Sequence, residues 1–297
     1  MCIFVVVNMA TYSSYRLIAV LSLAAVLLAG CKKTGAPATY IDDGYPKGTV
    51  LMNEGIYSEI LGEKMHYSIY LPPSFDKEKT YPIIYLLHGY GERCNCWFIH
   101  DQLHRVANKM IGDGDVPELV VVAPEGRRLF YIDNYYGNGK NYEQYFFEEF
   151  MPEIENLYSI KKERAARMIG GFSMGGYGSL RYGLVHGDTF CHVYAMSAFI
   201  GDAYGAPSLT PLVDEYLDAV HSGITVECGA NDFFMTEDRE FTALLTSKGI
   251  PNEYIERPGS HAWLFWSACT PKILLKAASL FGFPDSTTDP DATDVGE

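Results

Sequence analysis

Gly171-Phe172-Ser173-Met174-Gly175 decides the fold. The segment reads Gly-x-Ser-x-Gly and stands between two stretches of different character. Upstream, Ala166-Arg167-Met168-Ile169-Gly170 is short with an apolar centre, as a buried strand is. Downstream, residues 175–185 are rich in small and apolar side chains and can pack as a helix. A serine at such a junction is held on a sharp strand-to-helix turn, with its hydroxyl projecting from the sheet. Glycines flank it because neighbouring backbone comes very close. The helix N-terminus points its free N–H groups at the same spot. The bare pattern also arises by chance, so its meaning depends on whether suitable partners occur later in the chain.

Two later segments supply those partners. A hydrolase built on this turn needs an acid and then a histidine further along, in that order. Ile224-Thr225-Val226-Glu227-Cys228 reads as a strand, and Gly229-Ala230-Asn231-Asp232 comes next as a turn. Asn252-Glu253-Tyr254-Ile255-Glu256 reads as another strand, followed by Arg257-Pro258-Gly259-Ser260-His261. Asp232 and His261 therefore fall just past the C-terminal ends of strands, the edge where open α/β sheets place their ligands. Asp202 and Asp214 are rival acids, but neither follows a strand as cleanly.

The chemistry explains the residue types. A serine hydroxyl is a weak nucleophile and needs a base within hydrogen-bond reach. His261 would take its proton and later return it to the leaving alcohol. Asp232 would fix the imidazole tautomer and stabilise the imidazolium. Charge on the carbonyl oxygen needs preorganised N–H donors. The amide of Met174 is one candidate. Pro82-Ile83-Ile84-Tyr85-Leu86-Leu87 reads as an early strand and His88-Gly89-Tyr90-Gly91 as its loop, which makes the Tyr90 amide the other.

These stretches together resemble the esterase D and carbohydrate esterase family 1 group of the α/β-hydrolase superfamily. The resemblance rests on Tyr85-Leu86-Leu87-His88-Gly89-Tyr90-Gly91, Gly171-Phe172-Ser173-Met174-Gly175-Gly176-Tyr177-Gly178, Cys228-Gly229-Ala230-Asn231-Asp232-Phe233 and Gly259-Ser260-His261-Ala262-Trp263. The group includes feruloyl and acetyl-xylan esterases, S-formylglutathione hydrolases and mycolyltransferase-like enzymes. It implies an α/β-hydrolase fold, no cofactor, and hydrolysis of a carboxylic ester by Ser173, His261 and Asp232. It also places the oxyanion hole at the Tyr90 and Met174 amides. The chain departs from the pattern at Ala262, where many relatives carry an acid, and at Cys94-Asn95-Cys96.

Length and charge bound the alternatives. A chain of 297 residues with 48% hydrophobic content can bury one large core. A formal net charge of −14 argues against nucleic acid, which needs a basic footprint. It argues equally against charge-driven docking on anionic membranes, but not against neutral polysaccharides.

The N-terminus carries an export signal. Residues 17–28 form an apolar run after Arg16, too short for a membrane span and suited to a signal-peptide core. The run ends in Leu28-Ala29-Gly30-Cys31, which resembles a bacterial lipobox. The expectation is a lipoprotein signal peptide over residues 1–30, lipid on Cys31, and an exported, membrane-anchored protein. Met9 offers a conventional start, with an n-region ending at Arg16. Residues 31–47 read as a flexible tether rich in Gly, Pro, Thr and Lys. Residues 48–283 form the catalytic domain. Residues 284–297 are acidic, lack aromatics and read as a disordered tail.

A coarse pass predicts a mostly parallel central sheet with an N-terminal antiparallel hairpin and helices on both faces. The hairpin covers residues 50–61 and 64–71, with Gly62 near the turn. Strands come next at 82–87 and 118–122, and helices at 97–110 and 142–158. The second helix presents Glu143, Glu148, Glu149, Glu153 and Glu155, most simply as a solvated face. Trp97, Tyr131 and Trp263 are the candidate substrate-binding aromatics, although aromatics between motifs also pack as core. His88 is assigned to bracing the oxyanion loop, and the remaining histidines to surface or core. Cys94, Cys96, Cys191, Cys228 and Cys269 leave disulfide pairing open. Cys94-x-Cys96 has no second ligand pair at zinc spacing, so no metal is expected.

The leading expectation is an exported serine esterase acting on acetyl or feruloyl groups of polysaccharides. Acyl transfer with the same triad is the second reading, and a non-catalytic glycan-binding lipoprotein the third.

Overall fold

The computed structural model describes residues 44–283. The expected signal peptide, Cys31, most of the expected tether and the expected disordered tail lie outside the described residues.

An eight-stranded sheet runs through this part of the chain in the order β1-β2-β4-β3-β5-β6-β7-β8. β1 (Thr49–Ser58) and β2 (Glu63–Leu71) form the expected antiparallel hairpin, turning at Gly62 with φ +67°. β2 also pairs antiparallel with β4 (Val120–Pro124). From β4 outward every pair is parallel: β3 (Ile83–Leu87), β5 (Arg167–Phe172), β6 (His192–Met196), β7 (Gly223–Gly229) and β8 (Asn252–Arg257).

Strand alternation divides the core into two layers. On β3, Ile83, Tyr85 and Leu87 face one layer, and Ile84 and Leu86 face the other. β6 repeats this, with Val193 and Ala195 on the first side and Tyr194 and Met196 on the second. Strands covered on both faces need apolar residues at every position, which is why these segments are unbroken hydrophobic runs. Helices Met174–Val185 and Met235–Ser247 cover the first face. Helices Leu103–Asp113, Trp263–Ser267 and Thr270–Leu280 cover the second.

Two helical expectations need correction. Residues 97–110 are not one helix. Cys96–Ile99 ends, and Leu103–Asp113 begins after Gln102 at φ +55°, a conformation that breaks a right-handed helix. The break points Asp101 inward, where it accepts the Thr270 hydroxyl at 2.6 Å. Residues 142–157 are helical, but a π-helical segment, Phe146–Phe150, divides them. Their acids do not form one solvated face. Glu143 is buried against Arg181 at 2.6 Å and His186 at 2.8 Å. Glu155 is buried against Arg167 at 2.6 Å. Glu149 accepts the amides of Glu59 and Ile60 at 3.0 and 3.1 Å, holding the hairpin turn. Of the five, Glu148 and Glu153 are exposed.

Cys94, Cys96, Cys191, Cys228 and Cys269 are all free thiols. Among the described residues no cluster of three or more His, Cys, Asp or Glu is placed to hold a metal.

Candidate active site

Ser173 occupies the junction of β5 and helix Met174–Val185 with φ +57° and ψ −117°. A non-glycine residue rarely adopts this backbone, and such strain persists only where surroundings enforce it. Here the Ser173 amide donates to Met196 O at 2.9 Å, and Ser173 O accepts the Phe199 amide at 3.2 Å. The flanking glycines are required by close approach. A Cβ on Gly171 would lie 2.5 Å from Gly175 O and 2.8 Å from Leu87 O. A Cβ on Gly175 would lie 2.3 Å from Leu87 O. The turn therefore packs directly against the end of β3, where the expected oxyanion loop, residues 88–91, begins. Ser173 remains half-buried rather than sealed.

The acid and the histidine meet because the ends of β7 and β8 are laced together. The Ala230 amide donates to Arg257 O and the Asn231 amide to Gly259 O, both at 2.9 Å. Asp232 is then fixed by its own amide on Gly229 O at 2.9 Å. His261 Nδ1 lies 3.0 and 3.2 Å from the two Asp232 oxygens. With Nδ1 engaged by the carboxylate, Nε2 is left as the nitrogen available to a substrate-side proton. Burial alone would raise the Asp232 carboxyl. The hydrogen bond and charge of His261, the Phe234 amide at 3.0 Å and the Ser197 hydroxyl together hold it below the ordinary carboxylate range. Phe233, Phe234 and Trp266 surround the imidazole, with ring centroids 4.3, 5.3 and 4.9 Å away. Of the rival acids, Asp214 pairs with Lys248 at 2.5 Å, and Asp202 sits in a turn closed by its amide on Ala206 O.

His88 braces the loop after β3, the expected oxyanion loop. The ring is fully buried. Nε2 accepts the Gly126 amide at 2.8 Å, so Nδ1 carries the proton and donates to Gly89 O at 2.8 Å. This ties the loop after β3 to the loop after β4. Met174 opens its helix, so its amide has no partner one turn earlier. Tyr90 is half-buried, with the Arg128 guanidinium 5.1 Å from its ring.

The expected substrate-binding aromatics divide. Trp97 and Tyr131 are both fully buried and offer no face to a substrate. Trp97 packs edge-on behind Phe172 at 5.4 Å. The Tyr131 hydroxyl accepts the His88 amide and donates to His88 O, both at 2.9 Å, so it supports the oxyanion loop from beneath. Trp263 is half-buried and donates Nε1–H to Glu92 Oε1 at 3.2 Å, between the oxyanion loop and the histidine loop. Two aromatics were not singled out from sequence. Phe233 is 48% exposed beside His261, and Trp266 packs against it. Their positions directly after Asp232 and five residues after His261 were the available signal.

The chain has relatives among known proteins. The family model described as "Putative esterase" matches residues 58–277. An acetyl esterase of Caldicellulosiruptor saccharolyticus is 26% identical over 73% of this chain and 94% of its own. An endo-1,4-beta-xylanase/feruloyl esterase of Xylanibacter ruminicola is 24% identical over 76% of this chain, which spans only 30% of that protein. A solved ferulic acid esterase superposes with a TM-score of 0.73 at 30% identity, covering 80% of this chain and 99% of that one. The chain belongs to the Putative esterase family and is a carboxylic ester hydrolase of α/β-hydrolase fold.

Proposed function

We propose that the ester is cleaved through an acyl-enzyme on Ser173, with His261 as base and acid and Asp232 as its orienting carboxylate. The observation that carries this reading is the Asp232–His261 pair at 3.0 Å on the sheet edge where Ser173 is held in its strained turn. In the first half-reaction His261 Nε2 takes the Ser173 proton as Oγ bonds to the ester carbonyl carbon. The tetrahedral oxyanion is received by the Tyr90 and Met174 amides. Collapse expels the alcohol, protonated by His261. Water then repeats the sequence and releases the acid. Asp232 stays ionised throughout, since its surroundings favour the charged form.

We assign the substrate to acetyl or feruloyl esters of polysaccharides. An acetyl esterase and an endo-1,4-beta-xylanase/feruloyl esterase stand among the relatives, and Phe233, Trp263 and Tyr90 supply half-exposed aromatic surface at the site. Export and a lipid on Cys31 complete the proposal, supported by the apolar run and Leu28-Ala29-Gly30-Cys31. Palmitate labelling of the expressed chain, lost in Cys31→Ala, tests that part.

The enzymatic part is tested by hydrolysis of para-nitrophenyl acetate, para-nitrophenyl butyrate, methyl ferulate and acetylated xylan by the purified chain beside Ser173→Ala. Turnover that vanishes in the variant, with acetyl or feruloyl esters preferred, is the expected result. A folded protein idle on every member would overturn simple hydrolysis and favour acyl transfer or glycan binding.

A further inference from the structure

The expected oxyanion loop follows β3 and His261 follows β8, with β5, β6 and β7 between those strands. Four strand spacings of about 4.8 Å put the two loops roughly 19 Å apart at the sheet. The bonds that lace β7 to β8 align His261 with Asp232 and reach no further. His88 and Tyr131 tie the loop after β3 to the β4 side, away from the histidine. A separate contact has to set the base against the oxyanion donors.

Helix Trp263–Ser267 makes that contact by crossing back over β5. The Trp266 ring stacks on Phe172 at 4.2 Å, and the Trp263 ring stands edge-on to Phe172 at 4.9 Å and to Trp97 at 5.7 Å. Ring contacts alone leave an indole free to slide. What fixes it is its Nε1–H, donated to Glu92 Oε1 at 3.2 Å. Among the described residues this is the one hydrogen bond between residues 88–96 and 257–267. The Glu92 amide also donates to Gly89 O at 3.1 Å and closes a four-residue turn, with Gly91 at φ +85° in its third position. Tyr90 is the second residue of that turn. Glu92 therefore shapes the turn with its backbone and ties it to the histidine loop with its carboxylate. His100 backs the carboxylate: its Nε2 is 3.7 Å from Glu92 Oε2, and its ring tilts over Trp263 at 5.2 Å and 35°.

We propose that Glu92, through its hydrogen bond to Trp263, is a positioning residue that sets His261 in register with the Tyr90 amide. The role rests on the proposed Ser173-His261-Asp232 triad and its oxyanion pair. Trp263 lies just beyond His261 in the chain, and Glu92 just beyond Tyr90, so a shift at this bond passes to base and donor together. Base and donor act jointly as the tetrahedral oxyanion forms, so loss of the bond falls on kcat and not on KM.

The test measures kcat and KM for para-nitrophenyl acetate, with thermal unfolding, in the full chain carrying Glu92→Ala, Glu92→Gln, Trp263→Phe, and Glu92→Ala with Trp263→Phe. The carboxylate keeps 32% exposure, so Glu92→Ala is expected to lower kcat about three- to five-fold, less than a sealed charged hydrogen bond would, with KM within about two-fold. Glu92→Gln keeps an oxygen acceptor for the indole N–H and should hold kcat within about two-fold of wild type. Trp263→Phe keeps a ring against Phe172 and removes the donor. Because Trp263 also offers aromatic surface to the substrate, what is read in that background is the effect of Glu92→Ala, which should add nothing once the donor is gone. Should the double variant fail to fold, the comparison of Glu92→Ala with Glu92→Gln carries the test. Wild-type kcat in Glu92→Ala, a Glu92→Gln as slow as Glu92→Ala, or additive losses in the double variant would overturn the proposal. Ser173→Ala separates the two claims. If it is inactive while Glu92→Ala matches wild type, only the role of Glu92 falls; if it retains wild-type turnover, the triad itself falls.

Discussion

Gly175→Ala tests how the turn at Ser173 is coupled to the oxyanion loop. A Cβ at Gly175 would lie 2.3 Å from Leu87 O, 2.6 Å from Leu87 C and 2.9 Å from His88 O. All three are backbone atoms at the end of β3, just before Tyr90, and none can swing aside as a side-chain end could. Ordinary contact needs roughly 3.5 Å, so the helix start and the loop must part by about 1 Å. That gap separates the Met174 amide from the Tyr90 amide, the two proposed oxyanion donors. A misplacement of about 1 Å costs on the order of 10²-fold in rate, while overpacking costs about 1–3 kcal/mol in stability. The expected outcome is therefore a kcat for para-nitrophenyl acetate lowered about 10²-fold, in a protein that still folds. Gly249→Ala is the control. It has φ +74° with nothing within 4 Å of a Cβ, and it precedes β8 on the opposite edge of the sheet. It should lose about 1 kcal/mol of stability through backbone strain and keep its kcat. Wild-type kcat in Gly175→Ala would refute the coupling. Equal losses of kcat in both variants would show that general destabilisation, and not oxyanion geometry, had been measured.

Tyr131→Phe removes the hydroxyl that satisfies both backbone groups of buried His88, which should lower kcat several-fold at unchanged KM and cost about 1–3 kcal/mol on thermal unfolding. Glu227→Gln strips the charge from a fully buried carboxylate bound by Arg257, by Lys272 at 2.6 Å and by Tyr194 at 2.5 Å. A fully buried pair loses about 3–5 kcal/mol, but Arg257 and Lys272 keep 22% and 41% exposure, so about 2–3 kcal/mol by urea unfolding is expected. Asp101 is a buried acid that burial pushes from 3.8 up to about 6, and its Oδ1 has no partner. Because the folded value is the higher one, Asp101 costs stability that appears as pH rises from 3.8 to about 6 and is complete above that range. Asp101→Asn should therefore stabilise the chain by on the order of 2 kcal/mol near pH 7 and by almost nothing near pH 4; an equal gain at both would refute the assignment.

The strand-helix junction at Ser173 and the turns holding Asp232 and His261 were legible because each depends on local signals: glycines, strand-like runs and chain order. The hairpin and the parallel core were legible for the same reason. What escaped was set by distant partners. Glu143 and Glu155 look like a solvated face until Arg181 and Arg167 arrive from another helix and from β5. Trp97 and Tyr131 carry aromatic faces suited to a ligand, but the first is enclosed behind Phe172 and the second is spent on His88. The break at Gln102 was hidden too, because a left-handed residue there carries no glycine to mark it.

The most direct measurement is exposure of the folded chain to a fluorophosphonate, with intact mass and peptide mapping, beside Ser173→Ala and His261→Ala. The account predicts a single phosphonyl group on Ser173, none in Ser173→Ala, and much slower labelling in His261→Ala. Labelling at any other residue, or a folded chain that takes no label, would contradict it.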